Sequence, residues 1–333
     1  MIRSQTALSF PWSPPDPFLF TAHHVDHYPR GNDVLAPDAP LDGRKLGMDF
    51  AGKDGWRMYH GHVVPGFPQH PHRGFETVTI ATRGVIDHSD SLGAAARFGD
   101  GDVQWITAGR GISHSEMFPL LRKDADNPVE LFQIWLNLPA SDKLAEPHFE
   151  MFWADRVPRV VEGGASVTVV AGAFGDARPP SPPPRSWAAR ADSDVAIWLV
   201  RLEPSATIGL PKAQPTSNRS LFFHRGQALR VGDEIVRRPS QLAVDPGVAL
   251  PLANHGDDVV ELLVLQGKPI DEPIAQYGPF VMNTPTEIRQ AFSDYERTRF
   301  GGWPWPSDDP VHARDVGRWA RWPDGHEERS SSS

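Results

Sequence analysis

The sequence predicts an all-β protein: two successive β-barrels, one short helix near the end, and a tail. Three observations predict it. Short apolar runs separated by turn signals recur at roughly 8–12 residue spacing between about residues 45 and 175, which is the rhythm of a sandwich or barrel. A second set of such runs follows between 167 and 265. Proline and glycine number 34 and 29 in 333 residues, which favours many turns over long helices.

The elements follow in order. Residues 76–82 end at Arg83-Gly84, 85–91 at Leu92-Gly93, 94–98 at Gly99-Asp100-Gly101, and 102–108 at Gly109-Arg110-Gly111. In 131–138, Phe132, Ile134 and Leu136 alternate with Gln133, Trp135 and Asn137, so the two sets face opposite ways. After 167–171 comes "DARPPSPPPRS", too proline-rich for a central strand and expected as an exposed loop. The second set continues through 195–201, 220–224, 227–231, 241–244 and 259–265. Thr284, Pro285 and Glu287 supply an N-cap, a first-turn proline and a capping-box acid. Ile288, Ala291, Phe292 and Tyr295 form the apolar stripe of that helix, and Gly301-Gly302 is expected to end it. The Trp- and Pro-rich segment beyond is expected to wrap the body as an extended arm, with "HEERSSSS" disordered.

Composition narrows the chemistry. A formal charge of −9 with no basic block disfavours nucleic-acid binding, which needs clustered Lys and Arg. The absence of cysteine removes disulfides, thiolate catalysis and Cys-type zinc sites, so any metal is held by His and carboxylate. Such donors suit iron, manganese, nickel, copper or zinc. Neither a signal-peptide h-region nor an 18-residue apolar run occurs, and the expectation is a cytoplasmic protein without a membrane span.

Two histidine pairs stand out. In "FPQHPHRGFETVTI", His70 and His72 are two apart, so on a strand both imidazoles aim into one space. In "TAGRGISHSEMF", His114 and Glu116 repeat the spacing after a glycine-rich turn. Two such pairs can converge inside a small barrel, whose interior is lined by alternate residues. Three imidazoles and a carboxylate would leave coordination positions open, the mark of a catalytic rather than a structural site. His60 and His62 share the spacing and compete as a pair. Glu76 would lie on the His70/His72 face of an unbroken strand, as a ligand, a hydrogen-bond acceptor behind one, or a buried structural carboxylate. A bulge at Gly74 would rotate it away.

With these residues in view, the chain resembles the pirin family of the cupin superfamily. The likeness rests on "FPQHPHRGFETVT", "DSLG", "GDVQWITAGRGISHSE", "FQIWLNLP" and "EPIAQYGPFVMNTPTEIRQAFSDYERTRFG", and covers roughly residues 45–300. It implies two stacked cupin (double-stranded β-helix) barrels: 1–160 with the metal, and 161–300 without ligands, closed by a helix at about 285–300. Residues 301–333 form the Trp/Pro-rich tail. By that likeness the ligands are His70, His72, His114 and Glu116, Glu76 is not one, and the metal is Fe(II), with Mn, Ni, Cu, Co or Zn as substitutes. The Pro-rich insertion and the long tail depart from the family pattern.

The resemblance also implies a quercetin 2,3-dioxygenase activity: a small aromatic flavonol and dioxygen as substrates, with carbon lost as carbon monoxide, and Glu116 as the base that removes the flavonol 3-hydroxyl proton. Gln133 and Trp135 are expected near that pocket. The alternative is a non-enzymatic iron-dependent redox sensor acting through a protein partner.

Overall fold

The computed structural model describes residues 1–331, and strands dominate it. The chain divides into two units with interleaved segments. One comprises Met1–Ala22, Ile134–Pro139 and Asp155–Asp271; the other comprises His23–Gln133, Ala140–Ala154 and everything from Glu272 on.

The second of these carries the histidine pairs. Its six-stranded sheet runs, in spatial order, Glu327–Arg329, Trp319–Arg321, Ala95–Gly99, Val85–Asp90, Ile112–Met117 and Gly66–His72. A five-stranded sheet contains His148–Phe152, Val103–Thr107 and Phe75–Arg83, followed by Asn127–Asn137 and Phe18–Tyr28, inside which the unit boundaries fall. Alternate residues point inward, so Ile86, Phe98, Ile106, Ile112, Phe149 and Met151 pack as one buried cluster between the sheets. The other unit pairs a seven-stranded with a four-stranded sheet, and its core is filled by Val167, Val200, Leu221, Phe223, Leu262 and Val264. The all-β, two-barrel expectation holds.

Each expected run is a strand within a few residues of its predicted bounds. The proline-rich stretch 178–186 carries no strand, as expected. Among the strands that were not anticipated are Ile2–Ala7, exposed on all but one residue, and Phe18–Tyr28, whose histidines and aspartate mask its alternation.

The helix is Pro285–Thr298, with both arms of the capping box made by Thr284 and Glu287. It stops earlier than Gly301-Gly302 because Arg299, at φ 49°, takes the left-handed cap itself. Phe300 follows in the same region of backbone space and is buried beneath the Arg73 guanidinium, 4.5 Å from its ring centroid.

The tail does run as an arm along its own unit. Trp305 Nε1 donates to Asp90 O (2.8 Å), and Trp319–Arg321 pairs antiparallel with residues 95–97. Arg97, fully buried and bidentate with Asp87, donates to the carbonyls of His312 and Ala313. The expected disorder from His326 on does not hold for Glu327–Arg329, a strand whose backbone groups pair with Trp319–Arg321. Residues 332 and 333 lie outside the described residues.

Candidate metal centre

The strands Gly66–His72 and Ile112–Met117 lie antiparallel, with His70 opposite His114 and His72 opposite Ile112. The register slips between Phe67 and His70, at Pro68, whose ring cannot donate to a ladder. The Pro68 carbonyl is instead 2.8 Å from His70 Nδ1; a proton on that nitrogen donates to it and leaves Nε2 with its lone pair. Ring centroids of His70, His72 and His114 are 4.4–4.9 Å apart, and one nitrogen from each lies within 4.8 Å of the others.

His72 and His114 are buried and His70 is half-buried, which makes His70 the outermost of the three. Burial pushes all three pKa values down, His70 to about 4 against the opposing Pro68 contact. The rings are therefore neutral donors at neutral pH, the form that binds a metal. His114 is fully buried, and neither of its ring nitrogens has a hydrogen-bond partner among the described residues. A buried polar atom left so is costly, and a cation shared by three imidazoles would offset that cost. The donor set fits a divalent transition-metal ion.

Glu116 lies on the same face of its strand as His114 and is 3 % exposed. Thr79 Oγ1 donates to one carboxylate oxygen (3.1 Å) and Gln133 Nε2 to the other (2.7 Å). Burial raises its pKa, opposed by His88 and these two hydrogen bonds. Its oxygens fall outside the group formed by the three imidazole nitrogens.

Glu76 has a different place. Gly74, at φ +85°, ends the strand Gly66–His72 and starts a new one, and Glu76 then accepts from Trp105 Nε1 (3.2 Å) and Thr107 Oγ1 (2.7 Å). It is fully buried and lies outside the imidazole group, which sets it apart from the ligand alternative. His60 binds the Gly47 carbonyl through Nδ1 (2.7 Å), and neither it nor His62 joins the imidazole group.

Of the alternating pair of faces on Asn127–Asn137, the one bearing Gln133 reaches Glu116. Trp135 falls in the other unit and packs on Phe20 at 5.0 Å between ring centroids. The sequence reading missed His88 and Asp90. His88 lies opposite Glu116 on the next strand, stacks on Phe149 at 5.2 Å, and contacts Asp90 through Nε2 at 3.0 Å. The same two-residue spacing that marked the other pairs was visible in "DHSD".

Comparison with known proteins agrees with this geometry. The family model described as Pirin matches residues 46–136, and that described as Pirin C-terminal cupin domain matches 197–301. A Pseudomonas aeruginosa protein provisionally named a quercetin 2,3-dioxygenase is 42 % identical, covering 71 % of this chain and 79 % of its own. Human pirin is 32 % identical, covering 71 % and 78 %. The crystal structure titled quercetin 2,3-dioxygenase from Acinetobacter baumannii superimposes with a TM-score of 0.68 at 26 % identity, over 90 % of this chain and 96 % of that one. Among the described residues no helix is long and apolar enough to cross a membrane. The paired histidines, the two cupin barrels and these likenesses agree, and the chain belongs to the pirin family.

Proposed function

We propose that this chain is a metal-dependent dioxygenase of the quercetin 2,3 type, working at one ion held by His70, His72, His114 and Glu116. The observation that carries the reading is the convergence of three neutral imidazoles, with His114 buried and without a hydrogen-bond partner at either nitrogen among the described residues. We assign the ion as Fe(II), with Mn, Ni, Cu, Co and Zn compatible with the same donors. When bound, it would supply a Lewis-acidic position for the flavonol 3-oxygen and redox chemistry toward dioxygen.

The protein side supplies a base and its orientation. Glu116 is the carboxylate beside the imidazoles, and it is the group to take the 3-hydroxyl proton. Thr79 and Gln133 each hold one of its oxygens, which fixes the carboxylate plane without neutralising it. His70, the one half-buried imidazole, marks the side from which substrate approaches. The names carried by the Pseudomonas and Acinetobacter relatives support flavonol as the substrate class.

The test is oxygen uptake by protein loaded anaerobically with Fe(II), on addition of quercetin, beside the His70→Ala variant. Uptake by the unaltered protein alone is the expected result. No uptake with iron bound stoichiometrically would refute the flavonol reading and favour a redox sensor that acts through a protein partner.

A further inference from the structure

The unit that carries the histidine pairs also has a pocket where the end of its helix meets the turns that join its strands. The pocket has a volume of about 320 Å³, and Arg73, Arg110, Ser91, Leu92, Pro147 and Phe300 line it. Two arginines thus face one space, and among the described residues no carboxylate shares that wall.

Arg73 is the fixed charge of the wall. It is 7 % exposed, with Nε donating to the Arg110 carbonyl (2.5 Å) and Nη1 to Asp294 Oδ2 (2.8 Å). Nη2 has no hydrogen-bond partner among the described residues, yet it is not one of the partnerless atoms sealed from solvent. The slight exposure of Arg73 therefore includes Nη2. The guanidinium carbon stands 4.5 Å from the centroid of the Phe300 ring, which is itself part of the wall. It is thus the charged end of Arg73 that borders this wall, and not its stem alone. The ring is firmly seated, for a Cβ built on Gly111 would meet it at 2.5 Å.

Arg110 supplies a second, adjustable charge. Its side chain is more than half exposed, and so is that of Glu146, its ion-pair partner at 2.7 Å. A pair so exposed contributes little and is readily exchanged for another anion. The Ser91 hydroxyl accepts from the Ser113 amide (3.0 Å), which leaves its own proton to donate.

We propose that this pocket binds a monoanionic aromatic carboxylate, its oxygens accepting from Arg73 Nη2, the Arg110 guanidinium and the Ser91 hydroxyl, its ring against Phe300, Leu92 and Pro147. Planar guanidinium groups match a planar carboxylate. Asp294 and Glu146 hold the two arginines from outside the wall, and their charges disfavour a dianion such as phosphate. The volume accommodates a molecule the size of benzoate. None of the four proposed metal ligands lines the pocket, so the site does not depend on the assignment of iron or flavonol.

The test is isothermal titration calorimetry of benzoate into the metal-loaded full chain, repeated with His70→Ala to remove coordination at the metal centre as a source of heat. Saturable binding is expected in both, with benzyl alcohol silent and acetate weaker than benzoate. Arg73→Gln is expected to weaken benzoate about tenfold or more, the scale of losing a charged hydrogen bond. Arg110→Glu, an exposed change that leaves the core intact, is expected to weaken it as well and serves if Arg73→Gln does not fold. Absence of saturable heat, equal binding of benzyl alcohol or acetate, binding of inorganic phosphate but not benzoate, or undiminished affinity in Arg110→Glu would each overturn the proposal. Loss of benzoate binding in His70→Ala would overturn it too, by assigning the ligand to the metal centre.

Discussion

Gly74 stands between the strand that carries His70 and His72 and the strand that carries Glu76, and replacing it by alanine isolates the close packing there. An added Cβ would sit 1.9 Å from the Val281 carbonyl oxygen, against 3.4 Å for ordinary contact, so the two backbones would have to part by about 1.5 Å. That separation strains the hydrogen bond from Val281 N to Arg73 O (3.0 Å). It also disturbs the Lys143 ammonium, which bridges the carbonyls of Gly74 (2.9 Å) and Val281 (3.2 Å). The left-handed backbone at φ +85° adds about 1–2 kcal/mol for any residue with a Cβ, and overpacking about 1–3 kcal/mol. The sum is about 2–5 kcal/mol, or a melting point roughly 5–15 °C lower for a unit of this size. Gly93→Ala is the control: φ is +87°, yet nothing lies within 4 Å of its built Cβ, so only the backbone part applies. Thermal unfolding followed by circular dichroism compares the two. Equal melting points for the two alanine variants would refute the packing argument, since they share the backbone strain and differ only in what the new methyl meets.

Other predictions follow from the same structure. His70→Ala and His114→Ala should each lose most bound metal while keeping the native circular dichroism spectrum, because the apolar cores lie elsewhere; full metal occupancy by mass spectrometry would remove them from the ligand set. Asp294 is held at about pH 2 first by the Arg73 guanidinium, 2.8 Å away, then by Gln290. A depressed carboxylate pKa contributes stability above its unfolded value near 3.8 that is lost as the pH falls toward 2. Asp294→Asn should therefore cost about 1 kcal/mol at pH 7, an amount scaled down for solvent screening, with the gap to the parent narrowing between pH 4 and 2 in denaturant titrations. Thr284→Ala removes the acceptor for the Glu287 amide and one arm of the capping box, for a loss of about 1 kcal/mol in the same titrations.

Spacing made much of this legible. Period-two alternation between glycine turns located most strands, and the two-residue interval brought His70, His72 and His114 together, because both depend only on near neighbours in the chain. What stayed hidden depends on distant pairing. The role of Glu76 required knowing that Phe75–Arg83 lies beside Val103–Thr107, which supplies Trp105 and Thr107. The strand Ile2–Ala7 is polar enough to pass for a loop until Ser240–Val244 pairs with it. Alternation divided Gln133 from Phe132 but could not choose the face that reaches Glu116. Nor could it show that Arg219, polar at one end of an apolar strand, would be buried.

The strand Ala95–Gly99 obtains one of its two neighbours from Trp319–Arg321, about 220 residues further along. During synthesis that edge stands open until the whole of the intervening unit has been made, and open edges are where foreign strands add. A sheet completed by so remote a segment also closes slowly. Arg97 lies on this edge, and until the carbonyls of His312 and Ala313 arrive its guanidinium has Asp87 as its sole fixed partner there. An inward-pointing charge on an open edge is one of the features that discourage apolar strands from pairing there.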